Sequence, residues 1–415
     1  MDEKFNIGKK IMYDVYKIRQ DFPILSLNIN GKPNVFLDSA ASAQKPLSVI
    51  ETMRRIYMEE YANVHRGSYY LSEQITAAYE EARSKIHKFI NSKSDKEIVF
   101  VRNATEGVNL VSVAWGRKFL KTGDEVLISQ AEHHANLVPW QALRDEIGIK
   151  LKIFKISDKG EYLEEEYLKL LSEKTKLVAI TGMSNVLGTV FPIKEIAQQA
   201  HGVGAKILVD ACQYAVHQKI DVQNLDCDWL VFSGHKTYGP SGIGVLYGKY
   251  ELLEKMSPYQ YGGDMVDTVT YEKTTFNEPP FRFEAGTPAM VQAIGLGAAV
   301  DYMSALGMEN ITAHEQELTS YATNLLSEIK GLKIIGQAKD KGGVFSFNLD
   351  RIHPQDLAFI LDKEGVSVRT GHHCAQPIVN RMGYESLARA SLGLYNTKED
   401  IDALVAAIRK AQKFF

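Results

Sequence analysis

Short apolar runs alternate with amphipathic stretches through the middle of the chain. Six runs recur between residues 97 and 232, and several precede apolar positions at helical spacing. They are residues 97–102, 125–129, 150–154, 176–180, 206–210 and 228–232. Strands that alternate with helices predict a mostly parallel sheet with helices on both faces. Residues 243–247 follow the last run after a loop too short for a crossover helix, so we expect an antiparallel strand there.

The pattern changes after about residue 288. A long helical stretch is followed by an apolar strand at residues 343–349, a helix at 354–364 and a final helix. This order predicts a smaller α+β domain, and we expect the N-terminal segment to pack against it because the ends of such chains often come together. The predicted fold is α/β. Its large domain spans residues 31–290, and its small domain combines residues 1–30 and 291–415.

The composition is that of an ordinary globular protein. Of 415 residues, 45% are hydrophobic and 24% are charged, and 48 basic against 51 acidic residues give a net charge of -3. This balance gives no electrostatic reason to expect a nucleic-acid or membrane partner, so small-molecule chemistry is the better expectation. We expect a soluble, cytoplasmic protein for three reasons. The three cysteines are an odd number in a long chain, the N-terminus has no apolar core of signal-peptide length, and no apolar run is long enough to span a membrane.

Lys236 follows the last apolar run closely, in the segment Ser-Gly-His-Lys. A lysine at the end of a buried strand is costly unless its charge is relieved, and a deprotonated amine is a nucleophile that forms Schiff bases. The hydroxyl of Ser233 and the imidazole of His235 would suit phosphate oxygens. The alternative is an ordinary surface loop with a solvated lysine.

Asp210 ends the apolar run that comes before the one leading to Lys236, and Gln213 lies three residues further on. A carboxylate at a buried strand end needs a cationic partner, unless it only caps a helix. A protonated pyridine nitrogen would be such a partner. The order of Asp210 and Lys236, one strand apart, is what a pyridoxal phosphate site requires.

Two further groups are expected at the carboxyl ends of the strands, where α/β sheets bind ligands. Thr105 opens the helix after the first run, where it would bind an anion or act as a helix N-cap. His133 and His134 follow the second run, where a histidine can stack on a planar ring, act as acid or base, or bond to the backbone. No matching carboxylate or cysteine spacing accompanies them, so we expect no metal site.

The segment around Cys374 contains two histidines directly before the thiol. We expect it to be extended, so that adjacent side chains point to opposite faces and do not converge on one metal ion. Cys374 is then either a reactive thiolate beside cationic neighbours or a small buried hydrophobe. Arg369 and Arg389 flank the segment, and each is a candidate clamp for a substrate carboxylate or a member of a structural ion pair.

Together these segments resemble the pyridoxal phosphate-dependent cysteine desulfurases of the Suf type, also called group II, in the class V aminotransferase family. The similarity runs nearly from end to end and implies fold type I of the pyridoxal phosphate-dependent transferases, with Cys374 on the small domain. The motifs that carry it are Leu37-Asp-Ser-Ala-Ala-Ser-Ala-Gln-Lys-Pro46, Asn63-Val-His-Arg-Gly67, Glu132-His-His-Ala-Asn136, Ser233-Gly-His-Lys236, Arg282-Phe-Glu-Ala-Gly-Thr-Pro288 and Arg369-Thr-Gly-His-His-Cys-Ala-Gln-Pro377.

The resemblance implies a role for each matched residue. Lys236 would bind the cofactor covalently and act as acid and base at the substrate α-carbon, and Cys374 would attack the substrate sulfur. His133 would stack on the pyridine ring, while Asp210 and Gln213 would contact its nitrogen and its hydroxyl. The other implied residues are Thr105, Glu106, Ser233 and His235 for the cofactor, Thr287 for the cofactor of the partner protomer in a homodimer, and Asn185, Arg389, Arg369, His65 and Arg66 for the substrate.

The implied reaction converts L-cysteine to L-alanine and leaves a persulfide on Cys374. The sulfur would pass to a SufE-like or SufU-like acceptor protein for iron–sulfur cluster assembly. The compact segment before Cys374 should restrict the reach of the thiol and make turnover depend on that acceptor. Three alternatives stay open: a selenocysteine lyase, a class V aminotransferase in which Cys374 is incidental, and a non-catalytic sulfur-relay or scaffold protein.

Overall fold

The computed structural model describes residues 13–415. Its strands are β1 (Asn28–Ile29), β2 (Lys32–Pro33), β3 (Val35–Phe36), β4 (Ile98–Val101), β5 (Glu125–Ser129), β6 (Lys150–Phe154), β7 (Thr175–Thr181), β8 (Lys206–Asp210), β9 (Trp229–Ser233), β10 (Gly244–Gly248), β11 (Val266–Val269), β12 (Thr274–Phe276), β13 (Leu332–Ile335), β14 (Val344–Leu349), β15 (Val366–Ser367), β16 (Arg369–Gly371) and β17 (Leu387–Ser391). Residues 1–12, which belong to the predicted small domain, lie outside the described residues.

The α-helices vary from single turns to five or more turns. They are α1 (Val15–Gln20), α2 (Leu47–Arg55), α3 (Tyr70–Phe89), α4 (Ala104–Leu110), α5 (Arg117–Phe119), α6 (Val138–Ile147), α7 (Glu164–Leu170), α8 (Ile193–Gly202), α9 (Tyr214–His217), α10 (Val222–Leu225), α11 (Tyr250–Leu253), α12 (Met290–Leu306), α13 (Met308–Ser327), α14 (Pro354–Lys363), α15 (Gln376–Arg381) and α16 (Lys398–Ala411). Within residues 13–415, no helix is long and apolar enough to cross a membrane.

Seven strands form one large sheet, in the order β4-β10-β9-β8-β7-β5-β6. The five strands β5 to β9 are parallel to their neighbours among themselves, whereas β10 is antiparallel to both β4 and β9. The prediction of a mostly parallel, mixed sheet is confirmed, as is the antiparallel strand after residue 243. Because β8 and β9 are parallel, their last residues, Asp210 and Ser233, lie at the same edge of the sheet.

The strands of the large sheet are apolar because both faces are covered. All five residues of β5 are buried. Val126 and Ile128 belong to one apolar cluster, which includes Trp140, while Leu127 belongs to a different cluster. Successive side chains of a strand point to opposite faces, so this division places an apolar layer on each side of the sheet.

The second sheet has four antiparallel strands in the order β13-β14-β17-β16. Helices α13, α14 and α16 pack on it and share an apolar cluster with Phe345 and Phe347 of β14. The N-terminal part of the chain is tied to this unit, since β3 pairs in parallel with β15 and Arg19 forms a 2.9 Å ion pair with Asp400.

The limits of the two domains stay a prediction. Helix α12, which begins at the proposed boundary, packs against α2 and α3 and shares an apolar cluster with Leu127 of the large sheet. The helix that follows it, α13, joins the cluster of the small sheet. The transition between the two apolar cores therefore lies along the α12–α13 segment.

Candidate active site

A cavity of about 250 Å³ lies at the carboxyl ends of the parallel strands. Both sheets contribute to its wall, because residues from β7, β8, β9, β16 and β17 face it together with the start of α4 and several loops. Eleven of the residues singled out from the sequence line this cavity: Thr105, His133, Asn185, Asp210, Gln213, Ser233, His235, Lys236, Arg369, Cys374 and Arg389. The fold thus brings together side chains that lie as far apart in the chain as residues 105 and 389.

Asp210 and Lys236 are the charged groups on the large-sheet side of the cavity. Oδ1 of Asp210 accepts a 3.0 Å hydrogen bond from the backbone N–H of Cys212, and the side chain is buried. No cation pairs with Asp210 in the part of the chain that the structure describes, and the half-buried amine of Lys236 makes no hydrogen bond or ion pair there. A buried carboxylate and an amine without a partner lie at one cavity. Together they suit a ligand that offers a cationic nitrogen to the carboxylate and a carbonyl to the amine.

One end of the cavity carries neutral hydrogen-bonding groups. The hydroxyl of Ser233 accepts a 2.9 Å hydrogen bond from the N–H of Ala104, which joins the end of β9 to the start of α4. Burial, together with the charges of Lys236 and Lys45, lowers the pKa of His235 to about 4. With the hydroxyl of Thr105, these groups form a donor set suited to a phosphate. The cavity therefore fits pyridoxal phosphate in the chemistry of its walls.

Thr105 does not cap helix α4. The N-cap is Asn103, whose Oδ1 accepts a 2.9 Å hydrogen bond from the N–H of Glu106. Glu106 bonds back to the N–H of Arg102, so its side chain is turned away from the Lys236 cavity. The two neighbours Thr105 and Glu106, which were expected to act together, therefore line different cavities.

His133 is held in its neutral form. Burial, and next the charge of Lys236, lower its pKa to about 4. Its Nδ1 accepts a 3.0 Å hydrogen bond from the N–H of Ala135, which leaves the proton on Nε2. A neutral ring fixed in this way is able to stack on a planar ligand.

Cys374 lies on a tight turn and not on the extended segment that was expected. Strand β16 ends at Gly371, and His373 and Cys374 both have positive φ angles, 54° and 55°. Tertiary hydrogen bonds hold this left-handed conformation: the N–H of His134 donates to the carbonyl of Cys374 at 2.7 Å, and Nδ2 of Asn185 donates to the carbonyl of His373 at 2.7 Å. These hydrogen bonds stabilise a backbone conformation that residues other than glycine rarely adopt on their own.

The three cysteines differ in exposure. Cys374 is exposed, whereas Cys212 and Cys227 are buried, and burial raises the pKa of Cys212 to about 12 and also raises that of Cys227. The description of a small buried hydrophobe therefore fits Cys212 and Cys227 and not Cys374. Among the residues described, Cys374 is the accessible thiol at the cavity.

Arg369 and Arg389 lie directly opposite each other on the antiparallel strands β16 and β17. Asp38 bridges them, because its carboxylate is 3.1 Å from Nε of Arg369 and 3.2 Å from Nη2 of Arg389. Nη1 of Arg389 donates to the carbonyl of Asn185 at 3.0 Å. Its buried Nε has no hydrogen-bond partner among residues 13–415. Both arginines thus form ion pairs and also face the cavity, and their role as a clamp for a substrate carboxylate stays a prediction.

Four of the implied residues lie away from this cavity within one chain. Thr287 and Glu106 line a second cavity of about 300 Å³. His65 pairs with Glu80 at 2.9 Å, and Arg66 lies 3.6 Å from Asp264. Thr287 was expected to serve the partner protomer, which is compatible with this position. In residues 13–415 no group of three or more side chains is arranged to hold a metal ion.

Two residues at or next to the cavity were given no role in the analysis of the sequence. His373 is buried, and burial and the charge of Arg389 lower its pKa to about 3. Asp38 does not line the cavity, but its carboxylate bridges the two arginines. The motif Leu37-Asp-Ser-Ala-Ala drew attention to its segment, but the residue itself has no local signal, because its partners are more than 300 residues away in the chain.

Comparisons with known proteins agree with this geometry. The sequence profile described as "Aminotransferase class-V" matches residues 35–404. A cysteine desulfurase of Dickeya dadantii is 51% identical over 402 residues, covering 97% of both chains. One of Synechococcus elongatus is 50% identical over 96% of this chain, and this chain spans 64% of that longer protein.

Solved structures are similar over nearly the whole chain. The cysteine desulfurase CsdA of Escherichia coli has a TM-score of 0.91 and 37% identity, with 97% of this chain and 100% of that chain covered. An apo cysteine desulfurase of Thermococcus onnurineus NA1 has a TM-score of 0.92 and 36% identity, with 96% and 98% covered.

Proposed function

The chain belongs to the aminotransferase class-V family and is a pyridoxal phosphate-dependent cysteine desulfurase, and we propose that it uses Lys236 and Cys374 to convert L-cysteine to L-alanine and a persulfide. The observation that carries the assignment of residues is the meeting of three groups at one cavity. The accessible thiol of Cys374 faces the amine of Lys236 and the buried carboxylate of Asp210.

The cofactor would be held by residues on the large-sheet side of the cavity. Lys236 binds it covalently, and Asp210 keeps the ring nitrogen protonated. His133 stacks on the ring, and Gln213 contacts the ring hydroxyl. The phosphate is held by Thr105, Ser233 and His235. When bound, pyridoxal phosphate accepts the electron pair left at the substrate α-carbon.

The substrate carboxylate binds on the small-sheet side. Arg389 and Arg369 supply the positive charge, and Asn185 adds a hydrogen bond. The buried Nε–H of Arg389, which has no partner among the described residues, is available to a carboxylate oxygen. With the carboxylate bound there, the amine of Lys236 transfers a proton at the α-carbon of the substrate.

Cys374 takes the sulfur. The thiolate of Cys374 attacks the substrate sulfur, and the bond between that sulfur and the substrate β-carbon breaks. The electron pair of the broken bond goes to the β-carbon, which is protonated to give alanine. The guanidinium of Arg389 lines the same cavity as the thiol of Cys374. The persulfide remains on an exposed turn from which an acceptor protein collects it.

The active form is a homodimer in which Thr287 of one protomer completes the phosphate site of the other. This part of the proposal is supported by the position of Thr287 at a separate cavity and by exposed large apolar side chains in the segment 57–71. His65 and Arg66, which precede α3, would reach the substrate of the partner in the same way. The active form thus needs two chains to complete each site.

We propose that the acceptor is a SufE-like or SufU-like protein and that the sulfur serves iron–sulfur cluster assembly. The enzyme would then be a member of the Suf-type group and work in the cytoplasm. These assignments rest on the resemblance of the motifs and on the compact turn that bears Cys374.

A mass measurement of the purified holoenzyme after addition of L-cysteine tests the proposal. We expect a gain of one sulfur atom on Cys374 with release of alanine. In Lys236→Ala the absorption band of the bound cofactor should be lost, and in Cys374→Ser the gain in mass should disappear. Sulfur on Cys212 or Cys227, or release of alanine without any persulfide, would contradict the assignment.

A further inference from the structure

Glu132 is a buried carboxyl group behind the cavity. Only 3% of its surface is exposed, and no cation pairs with it in residues 13–415. Burial, assisted by the negative charge of Asp210, raises its pKa to about 8. A buried carboxyl without a cationic partner lowers stability, and such groups are concentrated at functional sites.

The carboxyl group joins three separate elements. Its Oε1 accepts hydrogen bonds from the hydroxyl of Ser129, at 2.5 Å, and from the N–H of Thr181, at 3.1 Å. Its Oε2 accepts a 2.7 Å hydrogen bond from Nδ2 of Asn136. Ser129 ends β5, Thr181 ends β7, and Asn136 belongs to a short 3₁₀ helix, His134–Asn136. One side chain therefore fastens the loop after β5 to the edge of the sheet.

This loop contacts both halves of the proposed reaction site. His133, the next residue after Glu132, faces the cavity. The N–H of His134 donates to the carbonyl of Cys374, and Nε2 of His134 accepts a 3.0 Å hydrogen bond from the N–H of Gln376. The position of the loop thus sets the ring of His133 and the turn of Cys374 together.

We propose that Glu132 is a positioning residue that holds the loop 131–136 and, through it, fixes His133 at the cofactor and Cys374 at the substrate. The inference rests on the proposed roles of His133 and Cys374. Glu132 itself does not line the cavity, so it acts through these two neighbours.

Only a carboxyl group satisfies all the partners of Glu132. Nδ2 of Asn136 must face Glu132, because Oδ1 of Asn136 accepts a 3.2 Å hydrogen bond from Nε1 of Trp140. A glutamine would present its NH₂ group either to this amide or to the N–H of Thr181, and both are donors. In either orientation two buried donors face each other, so the loop must move.

The test compares Glu132→Gln with Glu125→Gln in the holoenzyme. Glu125 is an equally buried glutamate at the other end of β5, where it pairs with Lys152 at 2.7 Å, far from the cavity. Three quantities are measured: the thermal midpoint, the dissociation constant of the cofactor from its absorption band, and the rate at which iodoacetamide modifies Cys374, the exposed thiol.

Both variants should lower the thermal midpoint. Glu132→Gln alone should weaken cofactor binding about tenfold and speed the modification of Cys374 about threefold, because an unpaired buried donor costs enough to displace the loop. A loss of packing without a positioning role would lower the thermal midpoint and leave the other two quantities as in Glu125→Gln, which would overturn the inference.

Asn136→Ala decides the matter if Glu132→Gln does not fold. It keeps the carboxyl group and removes one of its three donors, so it should show the same two effects in weaker form; wild-type values for both would refute the positioning role.

The wild-type protein separates failure of the positioning role from failure of the proposed function. If it binds no cofactor or forms no persulfide, the function is wrong, whereas a normal wild type with an unaltered Glu132→Gln rejects only the role of Glu132.

Discussion

Nη2 of Arg389 donates a hydrogen bond of 3.2 Å to Oδ1 of Asp38, and this pairing joins a nearly fully buried guanidinium to a carboxylate from the N-terminal part of the chain. The same carboxylate accepts a hydrogen bond from Arg369, which lies directly opposite Arg389 on the neighbouring antiparallel strand. Like charges directly opposite each other destabilise a sheet, so Asp38 offsets the repulsion between the two arginines. The proposed clamp for the substrate carboxylate thus already contains an internal carboxylate.

Asp38→Asn should lower the free energy of unfolding by about 3 kcal/mol, because it leaves the buried charge of Arg389 without a partner. Urea unfolding measures the change. Asp158→Asn is the matched control, since Asp158 is 91% exposed and pairs only with Arg381 at the surface, and its loss should stay within about 0.5 kcal/mol. Equal effects of the two substitutions would show that Asp38 does not compensate Arg389.

Cys374→Ser should separate sulfur release from selenium release. Release of sulfur from L-cysteine should fall to background, because the hydroxyl replaces the nucleophile. Release of selenium from L-selenocysteine should partly survive, since selenium is the softer and more easily displaced atom. Alanine formation from the two substrates measures both. Equal loss of both activities would contradict the division of labour between Lys236 and Cys374, and unchanged sulfur release would favour a reaction in which Cys374 is incidental.

The fold was predictable where local patterns are strong. The predicted strands at 125–129, 150–154 and 206–210 coincide with β5, β6 and β8, because charged or polar residues bound each apolar run. The position of Asp210 and Ser233 at one sheet edge followed from the parallel order. The site residues that line the cavity come largely from such strand ends and from the loops after them.

Features that depend on long-range contacts could not be predicted. The turn at His373 and Cys374 is held by His134 and Asn185, and no signal within residues 371–377 shows that it is left-handed. Such contacts form only once the two sheets are in place, so spacing in the sequence does not reveal them.

A pH-dependent contribution to stability is expected from His201. Its Nε2 is 2.8 Å from Oδ2 of the buried Asp228, and this hydrogen bond raises the pKa of His201 above its ordinary value. A group whose pKa is higher in the folded than in the unfolded state stabilises fully below the unfolded value, and the contribution is lost as the pH rises through the folded value. His201→Gln should therefore cost more stability at about pH 5.5 than at about pH 9, on either side of the ordinary value of about 6.5.

Urea unfolding of the wild type and of His201→Gln at both pH values checks this expectation. The same substitution in an Asp228→Asn background is the control. Without this carboxylate the difference between the two pH values should become smaller, and Asp226, 3.1 Å from Nδ1 of His201, is the acidic partner that remains. A larger cost at the alkaline pH would show that the protonated form of His201 does not stabilise the fold.

Turnover of L-cysteine should depend on a protein acceptor. Only residues 372–375 separate β16 from α15, and the hydrogen bonds from His134 and Asn185 fix the carbonyls of Cys374 and His373. A thiol held in this way cannot carry its persulfide far from the cavity, so removal of sulfur should limit the rate. A SufE-like or SufU-like acceptor should raise the steady-state rate about tenfold or more while the first turnover stays unchanged. An acceptor that lacks its sulfur-receiving group is the control, and a rate that no acceptor raises would show that the turn does not restrict Cys374.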